Sequence, residues 1–264
     1  MKSLVRYGNK AKEFRLINTE EPSPGDGEVK IKVEYAGICG TDLHMYEGHL
    51  DLSVPIIVGH EFSGTVVEVG KGVVGIKPGD RVTAEHTFDV CGCCSHCREG
   101  KYNLCTNRIS LGFEKPGCFA EYVIAGSKYI HKLPDNVAFE EGALTEPIAC
   151  SLHAVEKVLP TPGERALIIG PGPVGLLTGL CLKAHNCQVD IIGTESDVLR
   201  LEKAKQLDMN VVDQGACLGG NYDIIAECSG SQAARQELNW RCSPSKRTAV
   251  MCRLEYLLNQ LLSI

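Results

Sequence analysis

The sequence predicts an α/β chain in two parts, a β-rich barrel followed by an incomplete, doubly wound parallel sheet. Three observations carry that prediction. Short apolar runs cut by Gly/Pro turns fill residues 1–158. Beyond Pro160-Thr161-Pro162-Gly163 the pattern changes to strands alternating with helices. Between one such strand and one such helix stands Gly170-Pro171-Gly172-Pro173-Val174-Gly175.

In the first part, residues 29–35 alternate apolar and polar side chains with period two, as a half-buried strand does. Residues 64–70 and 80–84 read the same way, and Pro22-Ser23-Pro24-Gly25 and Lys77-Pro78-Gly79-Asp80 supply turns. The second part, 159–238, reads as strands at 166–169, 189–192, 211–212 and 222–227 with helices at 172–184 and 197–207. From residue 239 the periodicity fails, and only the leucine-rich 254–264 suggests a short helix. Residues 239–264 therefore read as a divergent tail that leaves the sheet short of strands.

Composition bounds the function. The 264 residues give room for two cores, and 44% hydrophobic with 23% charged residues describes an ordinary globular protein. A formal charge of −6 disfavours nucleic acid as a partner. No secretory or bilayer-spanning segment is visible, so no membrane partner and a cytoplasmic location are expected. Fourteen cysteines raise the alternative of a disulfide-rich secreted chain, but a core of this size needs no staples. Eight of them, outside the motifs, read as small buried apolar residues.

Five cysteines crowd one loop. Cys91, Cys94, Cys97 and Cys105 are separated by three, three and eight positions, which lets one loop aim four thiolates at a common centre. A closed, tetrahedral structural zinc takes four such ligands at about 2.3 Å. A redox dithiol or a metal-free reduced loop are the alternatives, and Cys93 is the odd thiol. A second set combines Cys39-Gly40-Thr41-Asp42-Leu43-His44 with Gly59-His60-Glu61. Cys39 and His60 are ligand types of a zinc that keeps an open position, with Glu61 or Glu146 adding a carboxylate. Asp42 is placed to accept a hydrogen bond from His60 and fix its tautomer. Taken alone, a His-Glu pair on a strand is more often structural.

Together these motifs resemble one family. The run from Gly59 through Gly64 and Gly70 to Gly72, followed by the four-cysteine loop, is similar to the zinc-containing alcohol dehydrogenases of the medium-chain superfamily. The resemblance spans residues 1 to about 235 and is nearest the polyol and L-threonine dehydrogenase branch. It implies a GroES-like barrel carrying a catalytic zinc and a Rossmann domain binding NAD. On this resemblance Cys39, His60 and either Glu61 or Glu146 hold the catalytic zinc, and Thr41 hydrogen-bonds the substrate hydroxyl. His44 passes the proton outward, although a turn hydroxyl and a surface histidine remain the plain readings of Thr41 and His44. The substrate is an alcohol, polyol by Glu146-Pro147 and threonine-like by residues 116–122; Glu146-Pro147 tips the reading toward polyol. A homo-oligomer is the implied assembly, and a zinc-free quinone reductase is disfavoured by the two ligand sets.

The glycine run has its own physical logic. Gly170, Gly172 and Gly175 allow a tight turn and close backbone approach, while Pro173 and Val174 open a helix whose N-terminus suits a pyrophosphate. Glu195 lies twenty residues past Gly175, where a carboxylate accepts the ribose hydroxyls and repels a 2′-phosphate, favouring NAD over NADP. Capping of the next helix is the plain alternative for Glu195. Arg200 reads as a helix-face residue within reach of the adenosine end. Because nicotinamide rests on the second half of such a sheet, the divergent tail implies retained zinc binding with little turnover. A non-catalytic zinc-binding fragment is the competing reading.

Overall fold

The computed structural model describes residues 1–213 and 222–230, and the backbone of 247–250. The chain divides into two compact units, Met1–Glu146 and Pro147–Ile264. The change of sequence texture near Pro160 lies one helix after that division.

The first unit is β-rich. Its strands are β1 (Lys2–Arg6), β2 (Phe14–Asn18), β3 (Glu28–Gly37), β4 (Ile56–Ile57), β5 (Glu61–Val69), β6 (Arg81–Ala84), β7 (Thr87–Asp89), β8 (Ile109–Ser110), β9 (Tyr122–Gly126) and β10 (Ile130–Lys132). A central antiparallel sheet runs β10-β6-β5-β3-β9, beside a β2-β1-β4 sheet and the β7-β8 pair. The alternation read at 29–35 falls inside β3, where Val29 and Ile31 are fully buried with Phe62, Val66, Val82 and Val123. Two register shifts interrupt the β3–β5 ladder. Such bulges increase local twist and help a sheet curl toward closure. Three short helices decorate the unit: α1 (Gly40–Tyr46), α2 (Ser95–Arg98) and α3 (Phe139–Gly142).

The second unit takes most of α4 (Thr145–Val158), then β11 (Arg165–Ile169), α5 (Pro173–Ala184), β12 (Gln188–Ile192), α6 (Val198–Gln206), β13 (Asn210–Val211), β14 (Ile224–Glu227) and β15 (Arg247–Val250). All five strands are parallel, in the order β13-β12-β11-β14-β15. Alternate residues serve alternate faces: Ala166, Ile168, Val189, Ile191 and Ile224 pack with Leu182 of α5, Ala204 of α6 and Val155 of α4. Leu167, Ile169 and Ile225 form the opposite cluster. Burial on both faces is why these strands read as continuous apolar runs. Asp190 sits in this core. Burial acts to raise its pKa, but donors from Asn210 (2.9 Å), Tyr222 (2.7 Å) and Arg165 (3.0 Å) outweigh it and hold the carboxyl below its usual range.

Three features depart from the sequence reading. β15 lies in the tail that shows no strand period, because four residues are too few to display one and pairing with β14 supplies the order. The 14-residue α4 occupies a stretch read as β-rich. Cys150, expected to be buried, is exposed on that helix; of the other seven cysteines outside the motifs, Cys118, Cys187 and Cys228 are buried and Cys181 is half-buried. Cys217, Cys242 and Cys252, with the expected helix at 254–264, lie outside the described residues. The described cysteines form no disulfide. No helix among the described residues is long and apolar enough to cross a membrane.

Candidate metal centre and nucleotide loop

Cys39, His60 and Glu61 come together in the first unit, with one donor atom of each lying within 4.8 Å of the others. Local sequence explains the meeting. Cys39 is the N-cap of α1 in extended conformation, and its N–H donates to Asp42 Oδ2 at 2.9 Å. Glu61 starts β5 directly opposite Gly37 at the end of β3. A Cβ at Gly37 would fall 2.3 Å from Glu61 Oε2, so the glycine makes room for the carboxylate. Gly59 turns the chain into His60 with φ +93°, and a Cβ there would strike the Phe119 ring at 2.5 Å.

Electrostatically the cluster is unsatisfied without a cation. Burial pushes the Cys39 thiol up to about 12 and drags His60 down to about 4. Glu61 is pushed up to about 7, by burial first and then by the charge of Glu146. Asp42 rises to about 6 through burial, despite its bond from Cys39 N–H. Each shift disfavours the charged form, and a bound divalent ion reverses the preference for the thiolate and carboxylate. His60 Nδ1 and Asp42 Oδ1 face each other at 3.9 Å, and neither makes a hydrogen bond. The expected hydrogen bond from His60 to Asp42 is therefore not made; the two atoms stand 3.9 Å apart, beyond hydrogen-bond reach. These donors fit a zinc ion.

The remaining expected residues are distributed around this cluster. The Cys39 thiol donates to Thr41 Oγ1 at 3.6 Å. His44, in the last turn of α1, meets His49 in a tilted ring contact with centroids 5.8 Å apart. Half-buried Glu146 lies outside the 4.8 Å grouping yet close enough to raise Glu61. Two neighbours went unread in the sequence. His86 and Phe113 place their rings 4.9 and 5.6 Å from His60. The β5–β6 register, which pairs Ser63 with Thr83, carries His86 to this position and is not visible in a linear motif.

His86 makes an acid-sensitive contact. Burial, then His60 and Arg108, pull its pKa down to about 3, and its Nε2 is buried without a hydrogen bond. A folded pKa below the unfolded one gives stability present above about 6.5 and lost as pH falls toward 3. Replacing His86 by Phe should flatten the acid limb by up to about 1.4 kcal/mol per pH unit in that window. Urea unfolding at stepped pH checks this; unchanged slopes would contradict it.

Cys91, Cys94, Cys97 and Cys105 form the second grouping within 4.8 Å. Cys94 caps α2 and accepts from Cys97 N–H at 3.5 Å, while Cys105 Sγ accepts from the N–H groups of Cys91 and Asn107. Backbone N–H groups of Cys93 and Cys94 pull Cys91 down to about 6. Cys97 moves the other way, up to about 12, through burial and then the neighbouring sulfurs. Four adjacent thiols cannot all ionise without a cation, and a divalent ion removes that conflict. Cys93 is exposed and outside the set.

In the second unit the glycine run joins β11 to α5 at the carboxyl end of the sheet. Gly170 adopts φ +98°, and a Cβ on it would lie 2.6 Å from Ser229 Cα. A Cβ on Gly175 would lie 2.0 Å from Gly170 O, so this glycine is required by packing. Gly172 differs: its φ of −69° suits any residue and nothing lies within 4 Å of its Cβ position. Neither strain nor packing demands a glycine there. Pro173 takes the first turn of α5, and Val174 O accepts from Thr178 Oγ1 at 2.7 Å. Glu195 is exposed in a 3-10 turn, and the cap falls to Asp197, which accepts from Thr194 N–H and Oγ1. Arg200 pairs with Asp197 at 3.1 Å.

Residues 25–135 match the alcohol dehydrogenase GroES-like domain. The chain is 43% identical over 248 residues to the sorbitol dehydrogenase of Halalkalibacterium halodurans, covering 90% of this chain and 72% of that one. It is 37% identical to the L-threonine 3-dehydrogenase of Pyrococcus abyssi, covering 95% and 74%. A zinc-binding dehydrogenase of Sinorhizobium meliloti 1021, solved bound to NADP, superposes with a TM-score of 0.87 at 29% identity, over 95% of this chain and 76% of its own. The chain belongs to the zinc-containing medium-chain alcohol dehydrogenase superfamily, in its polyol and L-threonine dehydrogenase branch, with a GroES-like barrel and a partial Rossmann sheet.

Proposed function

We propose that this protein is a zinc-dependent dehydrogenase that oxidises a secondary alcohol, a polyol by preference, with NAD. The observation that carries the proposal is the Cys39–His60–Glu61 grouping, a half-buried thiol with a buried imidazole and a buried carboxylate, all within 4.8 Å. Bound there, zinc supplies Lewis acidity to an alcohol oxygen while NAD supplies the hydride acceptor. The chain's own residues do the rest. Thr41, whose hydroxyl already contacts Cys39, takes the substrate proton, and half-exposed His44 carries it toward solvent. Gly172 admits the pyrophosphate, and exposed Glu195, not occupied in capping, meets the ribose hydroxyls. The similarity to a sorbitol dehydrogenase supports a polyol over threonine. The Sinorhizobium relative bound NADP, so cofactor preference is an outcome to measure.

The test is NADH formation by the zinc-loaded chain with sorbitol, 2,3-butanediol and L-threonine in turn. Little turnover is expected, and that little should be abolished by a chelator, restored by zinc and fastest with the polyol. Zinc binding without turnover of any alcohol favours a non-catalytic zinc-binding chain instead.

A pair of glycine variants separates cofactor binding from folding. Gly172→Ala should leave stability within about 0.5 kcal/mol of the parent while weakening NADH binding roughly tenfold. Gly175→Ala should cost about 1–3 kcal/mol of stability through the clash with Gly170 O. Fluorescence titration of NADH and urea unfolding read the two effects; equal behaviour of the variants contradicts the assignment.

A further inference from the structure

The C-terminus of α1 carries a third set of ligand atoms. His44, Glu47 and His49 each offer one within 4.8 Å of the others. A specific turn makes them meet. His49 N–H donates to His44 O at 2.9 Å and Gly48 N–H to Met45 O at 3.2 Å, with Gly48 at φ +76°. This is the paired-bond helix stop that brings the second residue past the cap against the third-last helical residue. Those two positions commonly share an apolar contact; here both are histidine, with rings 5.8 Å apart. The cap residue Glu47 puts Oε2 3.4 Å from His49 Nδ1.

The turn is also held from outside. A Cβ on Gly48 would lie 2.7 Å from Ala11 N, and Lys12 N–H donates to Tyr46 O at 2.7 Å. Asn9 bonds both the N–H and the C=O of Leu52, each at 3.0 Å, fixing the chain just beyond. The backbone that carries the three donors is thus fixed before any ligand arrives, which lowers the entropic cost of capture.

We propose that His44, Glu47 and His49 form a third, surface metal site that takes zinc from solution. Two imidazoles and one carboxylate are a zinc donor set that leaves a coordination position for water. The site differs from the other two in exposure: His49 and Glu47 side chains are 62% and 59% accessible, so it exchanges its ion freely with solvent. Its consequence rests on the role given to His44 above. An imidazole nitrogen bound to zinc has no lone pair for a proton, so excess zinc switches off the relay while the two tighter ions stay in place.

Equilibrium dialysis of the zinc-replete 264-residue chain against zinc alone tests the site. The parent should take up one more zinc than His49→Ala, and Glu47→Gln should weaken that zinc at least about tenfold. Both substitutions lie on exposed side chains and leave the core untouched. Identical isotherms for parent and His49→Ala overturn the site. Turnover at zinc concentrations that fill it should fall in the parent and not in His49→Ala. Binding without slowing keeps the site and overturns the relay role of His44.

Discussion

Cys39→Ser is expected to remove one tightly held zinc and to lower NAD-linked alcohol oxidation by about 10³-fold or more, while the four-cysteine loop keeps its ion. The size follows from the chemistry. Lewis-acid stabilisation of a developing oxyanion is worth several kcal/mol, and each ~1.4 kcal/mol is tenfold in rate. The site has little else to replace it, because burial keeps His60 neutral and Glu61 raised to about 7. Zinc uptake here should also be pH-dependent in a stated direction. Burial pushes the metal-free thiol up to about 12, so binding near neutrality must expel its proton. Affinity should therefore rise about tenfold per pH unit above pH 7, and more steeply below it, where Glu61 also has a proton to lose. Competition with a chromophoric chelator at stepped pH measures this slope, and a flat profile would contradict the ligand assignment.

The second large effect belongs to the loop. Cys94→Ser should abolish its zinc and open residues 91–105 to protease, with a fall in unfolding temperature on the order of 10 °C. Cys94 is both a cluster member and the N-cap of α2, accepting from Cys97 N–H. The four-residue α2 has too few internal bonds to persist by propensity. A Cys93→Ser chain should match the parent in zinc content and melting, since Cys93 is exposed and outside the grouping. Differential scanning calorimetry with zinc analysis distinguishes the two variants.

Much of this organisation was legible before folding. Strands β3, β11 and β12 were readable because burial imposes period two or a continuous apolar run on them. Both ligand sets were readable because their members sit in short runs whose order survives translation into space. His86 was not, since its approach to His60 depends on the register between two strands. α4 was missed because only Pro147, Ser151, Val155 and Val158 are buried on it, a sparse stripe that includes a serine. β15 was missed because its order comes from the ladder with β14. The His44–Glu47–His49 grouping was hidden for a related reason: it depends on the turn at Gly48, and spacing alone does not announce it.

The most direct test of the two-metal account is native mass spectrometry of the chain after dialysis against metal-free buffer. The account requires a mass increment of two zinc ions for the parent, falling to one in Cys39→Ser and one in Cys94→Ser. A parent holding a single zinc that Cys39→Ser leaves undisturbed would contradict it.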